Sequence, residues 1–521
     1  MKDYRPEAQT IDRDLDLAIY EFALGAKVVR DKYEHLCVGF TPDFGFPEFI
    51  RRDSEVNVKV FQPSPFGERF RLIQCGMCSA WMRLGSSEIN DARCEACGSI
   101  LTDTSGRECV VPNAFRTDFK PRPKKEEGAT GPRHRSIQAE GRVLAFGTWE
   151  LEQNGASALM KLAFDEQTRT YRLNRGPEHE DEGRNFALKN GEHVLPLGAG
   201  AVRIPFQAID REQELTDFQI RGEDESIWLA APKTTDSLYL APANVFDGLS
   251  LYKLPSLSED PDPRRISRWQ GVRAAALSAT FLIVNRASLE LDIDPAEFDV
   301  LEPRRYGADL RLPLLQITDQ LVNGAGFCRN LSESDRGVPR VLRLIYSMLT
   351  ESSSYPLESF SSVEHQDCDT ACYRCLLRYG NQHFHGLLDW QLALCYLRAL
   401  IDPTFVCGLD GNFDFPGLDR WQRTAEELAG EMVKRFGGET RSFAGGMVPA
   451  FKIGIGRRQS SPWVLVGHPL WDWGEDLVEG TILWRAEQEA STDGAADCWD
   501  TFNLARRQVQ VREWIRGAIR A

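Results

Sequence analysis

The sequence predicts an α+β multidomain chain: a β-rich N-terminal part with a zinc ribbon, a small middle β-domain and an α/β zinc-binding C-terminal part. Three observations predict this. Apolar and polar residues alternate with strand period through much of the first half. Apolar residues recur with helical spacing from residue 269 onward. Seven of the thirteen cysteines fall into two tight clusters, at 75–97 and 368–375. The 521 residues, 42% of them hydrophobic, leave room for sizeable buried cores.

Taken in order, LDLAIYEF (15–22) reads as helix and AKVV (26–29) as strand, and residues 33–74 alternate. The first cysteine cluster and the strand-like CVVP (109–112) complete a unit at 1–115. Residues 116–140 mix Pro, Gly and basic side chains without an apolar period and read as a basic linker, Lys120, Lys124, Lys125, Arg133 and Arg135 among its cations. RVLAFGTWEL, TRTYRLNRG and SIWLAAP suggest short strands and turns in a β-domain at 141–257. SEDPDPRR (258–265) is a second linker. The next unit, 266–405, opens with a long buried helix at 269–292. A strand PLLQITDQ, a turn NGAGF and helices near 336–350 and 387–401 follow. The remainder, 406–521, reads as a helix at 420–436, strands at 439–455 and 463–467, and a final helix near 504–518.

Charge and motifs exclude several functions. A formal net charge of −15 argues against a globally basic coat, while leaving room for a local basic path. The N terminus has no secretory pattern, and the most apolar stretch, 274–284, is too short to span a bilayer. The expectation is a soluble cytoplasmic protein without a membrane partner. No GxxxxGK(S/T) phosphate loop, HExxH or GxSxG motif occurs, and LGAGAV and NGAGF lack the lysine and hydroxyl a phosphate loop needs. No catalytic residue is assigned, and the chain is not expected to be an enzyme. His468, in WVLVGHPLWD, reads as structural; a nuclease built on the tail acids would be its alternative.

Cys75, Cys78, Cys94 and Cys97 form CxxC, fifteen residues, then CxxC. Each pair sets two thiolates on a tight knuckle, for which Gly76 and Gly98 are suited, and a hairpin brings the pairs together into a closed tetrahedral zinc cage. Such a cage has no open position for water, so the ion is structural. Cys368, Cys372 and Cys375 form Cx3CxxC, three thiols for a second metal. The fourth ligand comes from His385, His365, His383 or Cys328. An iron–sulfur cluster and a metal-free buried thiol cluster are the alternatives.

The segments WQGVRAAALSATFLIVNRASLELDID, ITDQLVNGAGF and CDTACYRCLLRYGNQHFHGLLDW together resemble the MrfA-type zinc-binding domain. That domain ends many large superfamily-two DNA helicases and occurs in the DISARM protein DrmB and in Druantia-type defence helicases. LDLAIYEFALGAKVVRDKYEHLCVGF is similar to the segment that follows the motor in those helicases, and WVLVGHPLWD with DTFNLARR to their extreme C terminus. Two departures stand out. The motor is absent, and NGAGF replaces a more glycine-rich PGGAG turn. The resemblance implies two zinc ions, with His385 completing a site of three cysteines and one histidine. It also implies a non-motor accessory role beside a superfamily-two helicase supplied in trans, in antiphage defence or repair. DNA, single-stranded or at a duplex junction, would be engaged by Arg264, Arg265, Arg268 and Arg273 at the helix entry and by Arg374 and Arg378 in the cysteine segment. A protein–protein scaffold that never touches DNA is the competing reading.

Overall fold

Two long strands, Ala156–Asn174 and Glu225–Pro242, pair antiparallel at the centre of the computed structural model. The structure describes residues 11–518 apart from internal segments, the longest at 85–91, 124–135, 189–199, 206–224 and 252–262. Both faces of this pair are buried. Met160, Leu162, Leu238 and Leu240 face the large core, while Ala163, Tyr239 and Ala241 join Leu314 on the other side. This is the period-two segregation of a strand, applied twice.

TRTYRLNRG and SIWLAAP, expected as short strands, are parts of these two long ones. The register shifts between Asp165 and Thr168. There the Asp165 carboxylate accepts the Gln167 N–H at 3.3 Å and the Thr168 hydroxyl at 2.5 Å. An irregularity of this kind breaks the sequence alternation without ending the strand.

The pair is the middle of an eleven-stranded sheet among the described residues. Trp228 and Leu229 run parallel to Cys109 and Val110 of strand Arg107–Pro112. Ser237–Leu240 pair antiparallel with Leu315–Thr318 of strand Leu312–Asp319. The sheet therefore takes strands from three of the units read from the sequence, 1–115, 141–257 and 266–405. Strand Ala114–Thr117 runs into 116–140, strands Arg122–Pro123 and Ser136–Ala139 lie within it, and Lys120, Lys124, Lys125, Arg133 and Arg135 lie outside the described residues.

Helix Pro263–Leu291 packs on the sheet and against helix Trp390–Ile401. Ala274, Ala275, Ala279 and Ala287 are fully buried on it, and small side chains let neighbouring backbones approach. Among the described residues only its Trp269–Leu291 portion is long and apolar enough to cross a membrane, and 72% of its most apolar stretch is buried inside the protein, as in a core helix. Asp389 caps the partner helix by accepting the Gln391 and Leu392 N–H groups, both at 3.1 Å.

The turn NGAGF is organised by Asp319, whose buried carboxylate accepts the N–H groups of Ala325, Phe327 and Cys328 at 2.7, 3.1 and 2.9 Å. Gly324 and Gly326 hold positive φ there, and a Cβ on Gly324 would meet the Asp236 carboxylate within 3 Å. The amides that a phosphate loop would offer to a ligand are thus taken by the protein's own carboxylate.

In the tail, strands Gly438–Phe443, Val448–Gly456, Trp463–Gly467 and Ala496–Asp500 form one sheet, the last two parallel. Helix Trp421–Phe436 stands as expected, whereas the single final helix expected near 504–518 is two, Thr501–Arg506 and Gln508–Ala518.

Candidate metal centres

The first cysteine cluster grows from the end of strand Phe66–Gln74 and the start of strand Trp81–Leu84. The Cys75 N–H bonds to the Ala80 carbonyl at 2.8 Å and the Ser79 N–H returns to the Cys75 carbonyl at 2.9 Å. The second knuckle repeats this through Cys94 with Ser99 at 2.8 Å and Gly98 with Cys94 at 2.7 Å. Ser79 and Gly98 hold the positive φ that closes each turn, so Ser79, rather than Gly76, is the counterpart of Gly98. Cys75 and Cys97 Sγ lie 3.7 Å apart, and Cys78 and Cys94 Sγ 3.5 Å apart. All four Sγ atoms are within 4.8 Å of one another. A tetrahedral zinc with Zn–S bonds of about 2.3 Å spaces its sulfurs by roughly 3.8 Å, so the set fits that ion.

The second cluster sits where the core helix meets helix Trp390–Ile401. Asn285, on the core helix, donates to the Cys375 carbonyl at 2.9 Å, and the Trp390 indole N–H donates to the Cys368 carbonyl at 3.1 Å. Cys375 Sγ accepts the Cys372 N–H at 3.1 Å and lies 3.9 Å from Cys368 Sγ. Burial pushes the Cys375 thiol up to about 11, the cost a cation would offset by binding it as thiolate.

The fourth member of this group is His365, within 4.8 Å of the three sulfurs, and not His385. His365 closes a short 3-10 turn, Val363–His365, and is 3% exposed. Its ring stacks on Phe360 at 4.9 Å and meets the edge of Trp390 at 5.4 Å. Burial draws its pKa down, keeping the imidazole neutral as a metal ligand must be. Neither ring nitrogen has a hydrogen-bond partner. A buried imidazole is seldom left so, and a cation held with the three thiolates would satisfy one of the two nitrogens. His385 lies beyond the 3-10 segment Tyr379–Phe384, which turns it back on itself, and its Nε2 is 3.0 Å from both the Arg378 carbonyl and Asn381 Oδ1. Cys328, another candidate, is buried at the start of helix Phe327–Ser332 with Sγ 3.6 Å from the Ile317 carbonyl.

A third group, Cys395, Cys407 and His468, was not foreseen as a group, because its members are scattered along the chain with no knuckle spacing. All three are buried. Cys407 Sγ lies 3.5 Å from His468 Nδ1, but that nitrogen already accepts the Leu470 N–H at 3.2 Å. The Trp471 indole donates to the Cys407 carbonyl at 2.8 Å. Three donors, one with its lone pair in use, make a polar latch between helix Trp390–Ile401 and the tail. Burial holds His468 neutral, its pKa drawn down to about 3, so it is badly placed for hydrolytic chemistry.

The six arginines expected at DNA divide. Arg273 forms a two-pronged pair with Glu302, at 2.8 and 2.5 Å. Arg374 pairs with Glu364 at the surface. Arg378 is half-buried, and desolvation draws its pKa down. Arg264, Arg265 and Arg268 lie in the first turns of the core helix, with side chains outside the described residues.

No family model matches the chain, and no curated protein matches it. Among solved structures the chain is similar to a crystal structure described as the DUF1998 helicase MrfA bound to DNA. The identity is 11% and the TM-score 0.22, with 55% of this chain and 29% of that one covered. The match thus spans less than a third of that helicase.

Proposed function

We propose that this chain is a non-motor, zinc-binding accessory subunit that engages DNA beside a superfamily-two helicase supplied in trans, in bacterial antiphage defence or DNA repair. The observation that carries the reading is the second centre. The cysteine segment on which the sequence resemblance rests meets His365 in a four-ligand group with unpartnered ring nitrogens. Cys75, Cys78, Cys94 and Cys97 would hold one zinc, and His365, Cys368, Cys372 and Cys375 the other. Bound there, zinc would cross-link the turns that carry its ligands.

The test is DNA binding by the purified full chain, measured by anisotropy with labelled single-stranded and forked DNA at 50 and 200 mM salt. The reading expects binding that weakens steeply with salt. It further expects co-purification with a motor-only helicase encoded beside the gene. Absence of DNA binding at low salt overturns the DNA-engaging part. One observation favours the scaffold reading: Arg273 and Arg374, both expected at DNA, are engaged by Glu302 and Glu364. Helicase binding without DNA binding would establish that alternative.

A further inference from the structure

A cleft of about 960 Å³ opens between the ribbon-bearing edge of the large sheet and the start of the core helix. Ligand sites commonly occupy roughly 300–1,000 Å³. Arg175, Arg304, Trp81, Trp269, Arg273 and Glu302 all line it.

Its charge balance is unusual. Arg304 is only 8% exposed, and among the described residues its guanidinium donates to a neutral group, Gln316 Oε1 at 3.1 Å. Arg175 lies over the rings of Trp81 and Trp228, at 5.5 and 4.9 Å to their centroids. Desolvation draws the Arg175 pKa down. Among the described residues neither guanidinium has a carboxylate within ion-pair distance. The acid that lines the cleft, Glu302, is gripped at both oxygens by Arg273. A guanidinium does not shed its proton in a protein, so a buried one calls for an anion or an aromatic face. Arg175 has its aromatic faces but no anion, and Arg304, with a single amide, is the guanidinium left short of a partner.

We propose that this cleft binds a nucleotide unit, its phosphate held by Arg175 and Arg304 and its base set beside Trp269. The proposal rests on the DNA-engaging reading above and gives it a place. Guanidinium groups match phosphate oxygens with paired donors, and an indole offers a stacking face to any base. Trp269 and Arg273 stand on the core helix, the helix that begins with Arg264, Arg265 and Arg268. A strand of single-stranded nucleic acid and a free mononucleotide share this chemistry.

The experiment uses the full chain with Arg175→Gln and Arg304→Gln variants, and labelled oligo-dT and dTMP as probes, across a salt series. Unchanged zinc content and melting temperature check folding. If Arg304→Gln fails that check, Arg175→Gln, on a half-buried side chain, carries the test. Oligo-dT affinity should fall about tenfold in each variant, and the slope of log affinity against log salt should flatten by about 1. Binding of oligo-dT by the parent that both folded variants retain, with the same slope, overturns the cleft and leaves the DNA reading standing. Binding of dTMP but not oligo-dT, lost in Arg175→Gln, supports the cleft as a free-nucleotide site and overturns the DNA reading. Binding of neither probe overturns both.

Discussion

Replacing His365 by Gln separates two histidines that flank the second cysteine cluster along the sequence. Structural zinc in small sites binds with an apparent free energy of about 10–16 kcal/mol at neutral pH. Shared among four ligands, the imidazole contributes roughly 2.5–4 kcal/mol, or about a hundred- to a thousand-fold in zinc affinity. His385→Gln instead disturbs a ring whose Nε2 is 3.0 Å from the Arg378 carbonyl and Asn381 Oδ1. That costs about 0.5–1.5 kcal/mol of stability and leaves the zinc in place. The assay is zinc content by elemental mass spectrometry after challenge with a graded chelator, beside thermal melting. The parent should retain two zincs, His385→Gln two and His365→Gln one. Loss of the second zinc from His385→Gln, with His365→Gln unaffected, would refute the ligand assignment and the orphaned-nitrogen argument behind it.

Cys395→Ala should leave zinc at two per chain, since the third group is a latch; a third zinc in the parent that this variant loses would contradict that. Asp319→Ala strips three backbone N–H groups of a charged acceptor and should cost about 3–5 kcal/mol in chemical denaturation. A change below about 1 kcal/mol would mean that the turn holds itself without the carboxylate. Burial depresses the folded pKa of His468 to about 3, against about 6.5 for an unperturbed histidine. The unfolded chain therefore takes up this proton first, and stability contributed above the unfolded pKa is lost as pH falls below it, toward 3. Between pH 7.5 and 5.5 the parent should lose about 1.4 kcal/mol more than His468→Gln, measured by urea unfolding; equal losses would show that His468 titrates in the folded protein as it does in the unfolded chain and would overturn its depressed pKa.

The sequence carried much of the local structure. Helix Trp421–Phe436 and strand Leu312–Asp319 fall where the sequence puts them, because the helix buries one continuous face and the strand is a short run buried on both. The cysteine clusters were legible because knuckle spacing is a local geometric demand. The fourth ligand was not. His365, His383 and His385 are all near enough along the chain, and the choice is made by Phe360 and Trp390, which wall in one ring. Nor was the large sheet legible, because alternation announces a strand but not its neighbour. Nothing near Trp228 marks Cys109 as its partner. The cleft was missed for the same reason: Arg175 and Arg304 are ordinary surface candidates until the fold brings them to one wall.

The ladder between Ser237–Leu240 and Leu315–Thr318 makes the C-terminal part a poor candidate for expression alone. A fragment beginning at 266 would keep strand Leu312–Asp319, buried along nearly its whole length, but would lose the neighbour that occupies its edge. Such an edge recruits other chains. The fragment should be recovered as aggregate, and co-expressing residues 1–257 on a second polypeptide should rescue it. Because the sheet closes only when distant segments have met, the intact chain should also form this sheet late in folding, after its local helices.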